Sequence, residues 1–369
     1  MLPVVLVCLD GVSWEYIHSS STPNLRKVEK NGMSATCKSI VPTVTNVNNA
    51  SILTGQFPAD HGITGNYCFD ESTQTEMYMD SPRFLKVPTL LEKAVSEGFS
   101  TLLVTVKDKL RRLLAEGVTA SFSVEVPETQ VVKEIGTPPS IYSEHADVWL
   151  LDAVISLLEK KNCQVVYVST TDYIPHKYGP ETAEAIEHIE RVDEKLGEIS
   201  DKAVLGVVAD HGMNDKCVKV DLVKMLKEFS IVARVIPIIK DEHVEHHQNL
   251  GGSVYLYLQK DEDKALRILQ DAEGVEKAYA RGVACRTYKL PPDRVGDIFV
   301  LGSKDAVFGP VEKGLVEDVK VRSHGSLHEL EVPFITNCKV KMTDKPLNKD
   351  VLELLLSMSG MREHVDVGA

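Results

Sequence analysis

No run of apolar residues in this sequence approaches the ~18–20 that a membrane-spanning helix needs, so a membrane partner is not expected. A basic segment ahead of the first apolar run is also missing. The opening "MLPVVLVCLDG" therefore reads as a first core strand and not as a secretion signal. CxxC spacing is absent. The seven cysteines, Cys8, Cys37, Cys68, Cys163, Cys217, Cys285 and Cys338, are scattered. An odd count with no framework suits the reducing cytoplasm, with each thiol acting as a small core residue. Basic charge is in deficit, 41 Lys and Arg against 54 Asp and Glu, for a net charge of −13. Such a chain repels a polyanion, and nucleic acid is not expected as a partner. A small anion still binds if positive charge, metal charge included, is gathered at one place. Internal repeats and low-complexity tracts are lacking too. The 369 residues suffice for one large domain or two modest ones.

What is present alternates. Four short segments are rich in Val and Leu and apolar on both faces: "PVVLVCLD" (3–10), "TLLVTV" (101–106), "QVVYVSTTD" (164–172) and "AVLGVVAD" (203–210). Parallel strands covered by helices have this character. Helical patterns lie between them, at "PTLLEKAVSEG" (88–98), "ADVWLLDAVISLLEKK" (146–161) and "PETAEAIEHIERVDEKLGEI" (180–199). The order predicts an α/β fold, a doubly wound, mainly parallel sheet. After Met213 the texture changes to an alternating strand "SVYLYLQ", a helix "DEDKALRILQDAEG" and strands "VEKAYARG" and "GDIFVLG". Residues 213–310 are expected to form a small α+β cap inserted into a core of 1–212 and 311–369. "LEVPFITNC" (330–338) would then return to the main sheet.

Three of the apolar strands run into aspartates: Asp10, Asp172 and Asp210. Ligands of open α/β sheets bind beyond the carboxyl ends of the strands, so three carboxylates would share one crevice. Like charges that close resist ionising together unless cations intervene. His211 adjoins Asp210, and His176 lies four residues past Asp172. Oxygen and imidazole donors in such a mixture suit zinc, and manganese or iron would satisfy the same set. A second segment, "VPTVTNVNNASILTGQFPADHGITGN" (41–66), places hydroxyls and amides at the start of a helix, where exposed N–H groups favour an anion. A threonine hydroxyl there is a poor nucleophile without a base or metal beside it. Without one, Thr45 would be a helix cap.

"LDG" (9–11), "PTVTNVNNASILTG" (42–55), "HGITGN" (61–66), "TTDYIPH" (170–176), "ADHGM" (209–213) and "SHG" (323–325) together resemble the alkaline phosphatase superfamily. Within it the chain is similar to the branch that holds nucleotide pyrophosphatase/phosphodiesterases and phosphonoacetate hydrolases. "TNVNN", "GITGNY", "TVKDKLRRLL" (105–114) and "RSHGSLHELEVP" (322–333) look closer to the hydrolases. The resemblance implies two zinc ions. Asp172, His176 and His324 would hold one, with His328 the rival for the last place. Asp10, Asp210 and His211 would hold the other, with Thr45 bound there as the nucleophile. Asn66 would steady a phosphoryl oxygen, while Asn48 and Asn49 would shape the turn. Lysines clamp the substrate carboxylate in those hydrolases. Lys107, just past a strand end, and Lys109 are the candidates here, and Lys177 and Arg191 are weaker choices for a second clamp.

The implied reaction is hydrolysis of the carbon–phosphorus bond of phosphonoacetate to acetate and phosphate through a phospho-Thr45 intermediate. The alternative is a phosphodiesterase or nucleotide pyrophosphatase using the same two metals. Either way the partner is a small anionic phosphonate or phosphoester, and a homodimer is left open. His243, His246 and His247 in "EHVEHHQN" read as a polar loop, His61 as a turn residue and Trp14 as packing. His18, His145 and His188 carry no signal.

Overall fold

The computed structural model describes residues 2–160, 163–241 and 248–361, so His243, His246 and His247 lie outside the described residues. Strand β1 (Val4–Cys8) is buried along its whole length. Strand β2 (Met33–Lys38) follows, and then a hairpin of β3 (Tyr67–Asp70) and β4 (Thr75–Tyr78). Strands β5 (Thr101–Thr105), β6 (Ala120–Ser123), β7 (Val165–Ser169) and β8 (Val204–Val208) complete a parallel set, ordered β8-β1-β7-β5-β6. These are the four apolar segments of the sequence, with β6 added at the edge.

The register decides where the site lies. Cys8 pairs with Ser169 on one side and Val208 on the other, and Thr105 pairs with Ser169. Four strands thus end level. The residues after them, Asp10, Asp172, Asp210 and Lys107, emerge side by side at the carboxyl edge. Successive side chains of a strand point to opposite faces. Leu6 and Cys8 of β1 join the core beneath the Thr45–Thr54 and Val351–Met358 helices. Val5 and Val7 join the opposite core, with the Pro23–Asn31, Ala146–Glu159 and Ala183–Ser200 helices. The sheet is doubly wound as expected.

Past Met213 the chain builds two further sheets. Strand β9 (Asn214–Val220) lies in one; β10 (Ala233–Pro237), β11 (Ser253–Leu258), β12 (Val275–Ala280) and β13 (Ile298–Gly302) form the other, ordered β10-β11-β13-β12. Strands β14 (Ala306–Phe308) and β15 (Val316–Ser323) flank β9. The pairing of β15 with β9 carries this sheet to Ser323, next to His324. Strand β16 (Glu331–Thr336) then returns to the main sheet, antiparallel between β8 and β2.

Candidate active site

Three aspartates and three histidines meet at the level strand ends. Asp172, His176 and His324 form one group, and Asp10, Asp210 and His211 another; in each, one donor atom per residue lies within 4.8 Å of the others. All six residues are buried. Gly11 adopts φ +73, a left-handed conformation open to glycine, and its N–H donates to Asp210 Oδ1 at 3.2 Å. The same oxygen accepts from His211 N at 2.9 Å, and Asn49 Nδ2 donates to Asp210 Oδ2 at 3.3 Å. Asp10 N donates to Thr170 Oγ1, whose hydroxyl donates on to Cys8 O.

The histidines share one arrangement. His176 Nδ1 faces Arg322 O at 2.8 Å, His211 Nδ1 faces Gly212 O at 2.9 Å, and His324 Nδ1 faces Thr43 O at 2.8 Å. A carbonyl only accepts, so each Nδ1 carries a proton and each Nε2 is the ring atom turned to the site. His176 Nε2 then faces Asp172 Oδ2 at 3.1 Å. Asp10 Oδ2 is buried with no hydrogen-bond partner among the described residues. Burial, then the charges of Asp172 and Asp210, hold the Asp10 carboxyl well above the usual range. Burial pushes Asp210 up to about 7 despite its backbone hydrogen bonds. Burial, reinforced by His211 and His176, holds His324 well below the ordinary histidine value, hence neutral. Three buried carboxylates, an orphaned carboxylate oxygen, a neutral His324 and three Nε2 atoms turned inward are a donor set that divalent cations take up, and the residues present fit one cation per group.

Thr45 lies at the junction. It is the first residue of a ten-residue helix whose residues are all buried, and Val44 occupies the cap position without a side-chain hydrogen bond. Thr45 is therefore not a cap. Its Oγ1 lies 3.3 Å from His211 Nε2 and 3.5 Å from Asp10 Oδ1. Asn48 Oδ1 accepts from Ile40 N at 2.7 Å and its Nδ2 donates to Ile40 O at 3.0 Å, which fixes the approach to the helix. Asn49 does more than shape the turn: it links Thr45 O, Asp210 and the Tyr167 hydroxyl, which donates to Asn49 Oδ1 at 2.7 Å. Asn46 N, the next N–H of the helix, is 3.4 Å from Asn66 Oδ1.

A cavity of about 340 Å³ opens beside Asn46 and Asn66. Lys107, Lys109 and Arg112 line it, with Tyr78, Tyr142 and Asp241. Lys107 Nζ donates to Asp172 Oδ1 at 2.6 Å. Burial alone would lower the Lys107 pKa, but the Asp172, Asp10 and Asp241 carboxylates outweigh it and keep the ammonium charged. Lys109 pairs with Asp241. Sequence reading missed Arg112, Tyr78, Tyr142 and Asp241, and also Asn49 and Thr170 as supports of the aspartates. Only Asn49 carried a signal, its place inside the nucleophile segment.

Other candidates fall elsewhere. His328 Nε2 lies 2.5 Å from Glu276 Oε2, and His324, not His328, joins the donor cluster. Lys177 caps the Tyr173 ring and Arg191 pairs with Glu187; neither lines the cavity. His61 is buried, accepts from Ile63 N at 3.1 Å and bonds Ser51, in keeping with a turn residue. Trp14 stacks on His18, His145 meets Arg191, and His188 pairs with buried Asp147. The cysteines are not uniformly core residues: Cys8, Cys37 and Cys68 are buried, Cys217 is exposed, and the other three are half-buried. Among the described residues no helix is long and apolar enough to cross a membrane.

Residues 4–326 match the family model for type I phosphodiesterase / nucleotide pyrophosphatase. Ectonucleotide pyrophosphatase/phosphodiesterase family member 3 from Rattus norvegicus is 26% identical over 233 residues, which are 58% of this chain and 25% of that protein. The bis(5'-adenosyl)-triphosphatase of Pongo abelii is 25% identical over 70% of this chain and 60% of its own length. The chain thus aligns with about a quarter of the first relative and somewhat over half of the second. Among solved structures, phosphonoacetate hydrolase from Sinorhizobium meliloti 1021 in complex with phosphonoformate superposes with a TM-score of 0.90 at 33% identity, covering 98% of this chain and 96% of that one. Murine ectonucleotide pyrophosphatase/phosphodiesterase 5 shares the fold, at a TM-score of 0.73 and 18% identity over 100% of this chain and 97% of that one. The chain belongs to the type I phosphodiesterase / nucleotide pyrophosphatase family of hydrolases, within the alkaline phosphatase superfamily.

Proposed function

We propose that this hydrolase is zinc-dependent and cleaves the carbon–phosphorus bond of phosphonoacetate, releasing acetate and phosphate through a phospho-Thr45 intermediate. The observation that carries the reading is the cavity beside Asn46 and Asn66, where Lys107 and Lys109 supply cations for a carboxylate one methylene beyond the phosphonate. The Sinorhizobium meliloti enzyme, similar over nearly the whole chain, has also been solved with phosphonoacetate bound. Asp172, His176 and His324 would hold one zinc; Asp10, Asp210 and His211, with Thr45, the other. When bound, the two cations would lower the pKa of the Thr45 hydroxyl and offset charge on the phosphoryl oxygens.

The chain's own residues do the rest. Thr45 Oγ1 faces His211 Nε2 and Asp10 Oδ1, which orient it toward the crevice and bear on its proton. Attack on phosphorus forms the Oγ1–P bond as the C–P bond breaks. That electron pair goes to the methylene carbon and delocalises into the carboxylate as an enolate, and water protonates the carbon to give acetate. Lys107 and Lys109 stabilise the charge developing on that carboxylate, so they lower the barrier as well as bind. Asn46 N and Asn66 Nδ2 would donate to a phosphoryl oxygen. Water then attacks phosphorus, frees Thr45 and releases phosphate. We assign 1–212 and 311–369 to the hydrolase core and 213–310 to a cap that contributes Asp241. Seven free thiols suit a reducing cytoplasm.

A phosphodiesterase is the second reading, favoured by Tyr78 and Tyr142 in the cavity, which would flank a base or aryl group. Parallel assays of phosphonoacetate, phosphonopyruvate, and aryl mono- and diesters, with and without chelator, separate the two. Phosphate release from phosphonoacetate that chelator abolishes is expected. Fast turnover of aryl diesters with no phosphate from phosphonoacetate would overturn the hydrolase reading.

A further inference from the structure

Cations around the cavity are matched before any ligand arrives. Lys107 pairs with Asp172, Lys109 with Asp241, and Arg112 with Asp80. The first pair is part of the donor cluster, and the last is half-exposed at the rim. The middle pair is different. Asp241 Oδ1 accepts from Lys109 Nζ and lies 3.5 Å from Asn66 Nδ2. One carboxylate oxygen therefore sits between the amide assigned to the phosphoryl group and the ammonium assigned to the substrate carboxylate. A phosphonate whose phosphoryl group lay at Asn66 and whose carboxylate lay at Lys109 would need that place.

The chain holds Asp241 there deliberately. Asn66 N donates to Ile238 O at 2.9 Å, which sets the stretch leading to Asp241 beside the phosphoryl side of the cavity. Asn249 Oδ1 accepts from Asp241 N at 2.9 Å, so the backbone is fixed from the other direction. The Asp241 side chain is only 10% exposed. Its charge also helps keep the Lys107 ammonium protonated. We propose that Asp241 is an internal competitor of the substrate carboxylate, a residue that sets the affinity for carboxylate-bearing ligands. It holds Lys109 in the free enzyme and yields it only to a ligand that brings a carboxylate of its own.

The physical basis is an exchange. A ligand carboxylate replaces one charge-assisted hydrogen bond on Lys109 with another, so breaking the internal pair is offset. A ligand without a carboxylate leaves the Lys109–Asp241 pair intact and gains nothing from Lys109. The internal pair therefore weakens carboxylate-bearing ligands alone, since only they must displace Asp241 from Lys109. A plain orienting role for Asp241 predicts the opposite sign, since loss of the anchor would then weaken the clamp.

This inference rests on the phosphonocarboxylate reading above, and the test separates the two. Zinc-loaded protein with Thr45→Ala, which cannot turn over, is titrated calorimetrically with phosphonoacetate and with methylphosphonate, which lacks the carboxylate. Phosphonoacetate is expected to bind more tightly than methylphosphonate. Adding Asp241→Asn is expected to tighten phosphonoacetate about tenfold, the size of one charge-assisted hydrogen bond that no longer has to be given up. Methylphosphonate should change by less than about twofold, because it brings no carboxylate to Lys109 and leaves the internal pair undisturbed. With Lys109→Met the gain from Asp241→Asn should vanish. Weaker phosphonoacetate binding in Asp241→Asn would show an orienting residue, and equal tightening of both ligands a bulk charge effect; either overturns the proposal alone. Equal affinity for both ligands with Asp241 in place would overturn the carboxylate clamp and this proposal together. Methylphosphonate binding in each variant reports an intact site.

Discussion

Asp10 and Glu329 are each 1% exposed, but their surroundings differ. The Glu329 carboxylate accepts from Lys216 Nζ at 2.9 Å, Asn214 Nδ2 at 2.7 Å, Ser326 N at 2.8 Å and Ser326 Oγ at 2.7 Å. Lys216, also buried, donates further to Lys304 O at 2.7 Å. That cluster is closed: its charges cancel and its donors and acceptors are matched. Asp10 faces two further carboxylates and the His211 Nε2 atom, and its Oδ2 has no partner among the described residues. A buried structural ion pair completes itself, whereas a cluster built to hold something leaves its acceptors open. The two are neighbours, because Glu329 O accepts from Gly212 N at 2.9 Å and Ser326 O accepts from the Thr43 hydroxyl at 2.8 Å. The closed cluster fixes the loop that carries His324 into the open one.

Glu329→Gln attacks the closed side of this comparison and has the largest expected effect on stability. It leaves the Lys216 ammonium buried without its counter-charge, a loss of about 3–5 kcal/mol. Urea unfolding should show that loss in the metal-free and the metal-loaded protein alike. A loss under about 1 kcal/mol would mean that water reaches Lys216 and the cluster is not closed.

Asp210→Asn attacks the open side and should act with the opposite sign on the metal-free protein. Burial raises the folded pKa of Asp210 to about 7 from an ordinary 3.8. The metal-free fold then binds that proton more tightly than the unfolded chain does. Its contribution to stability is present below the unfolded value and is lost as pH rises through the folded one. Metal-free protein should therefore lose stability between about pH 4 and pH 7, and Asp210→Asn should flatten that slope and raise stability above pH 7 by about 1–2 kcal/mol. Metal affinity should fall in the same variant. An unchanged slope, followed by urea melts across pH, would show that Asp210 does not carry the effect.

The open cluster was legible in the sequence and the closed one was not, for a physical reason. Each carboxylate of the open cluster ends a buried strand, and a fully apolar run into Asp is a local anomaly that needs no partner to be noticed. Lys107 and His324 entered only with the family resemblance. Lys216 and Glu329 lie 113 positions apart in stretches that look like ordinary half-exposed strand and loop. Nothing local distinguishes such charges from solvated ones. Asp241 is hidden for the same reason, reaching Lys109 across 132 positions. Alternation of strands and helices gave the doubly wound sheet, but β6 and the β3–β4 hairpin, short and partly exposed, carried too weak a pattern. Thr45 was read as a nucleophile only through family resemblance. A buried helix with no amphipathic face does not by itself announce a reactive first residue.

The smallest expected effect sharpens the boundary between the clusters. His324 and His328 are four residues apart and equally plausible ligands by type, and the fold sends them to different places. Buried His324 is turned by Thr43 O and its ring stacks on that of His211, with centroids 3.7 Å apart. Gly325, at φ +104 and close against Gly252 N, lets the chain turn away immediately afterwards. The capping box of Ser326 and Glu329 then points His328 outward to Glu276, where the pair is about one-third exposed. An exposed pair of this kind contributes about 0–1 kcal/mol. His328→Ala should leave metal content, counted by metal analysis after dialysis, and hydrolytic rate within about twofold of the parent protein. His324→Ala should lose one equivalent of metal. If His328→Ala also lost an equivalent, the outward path of the loop would be wrong and the two histidines would exchange roles.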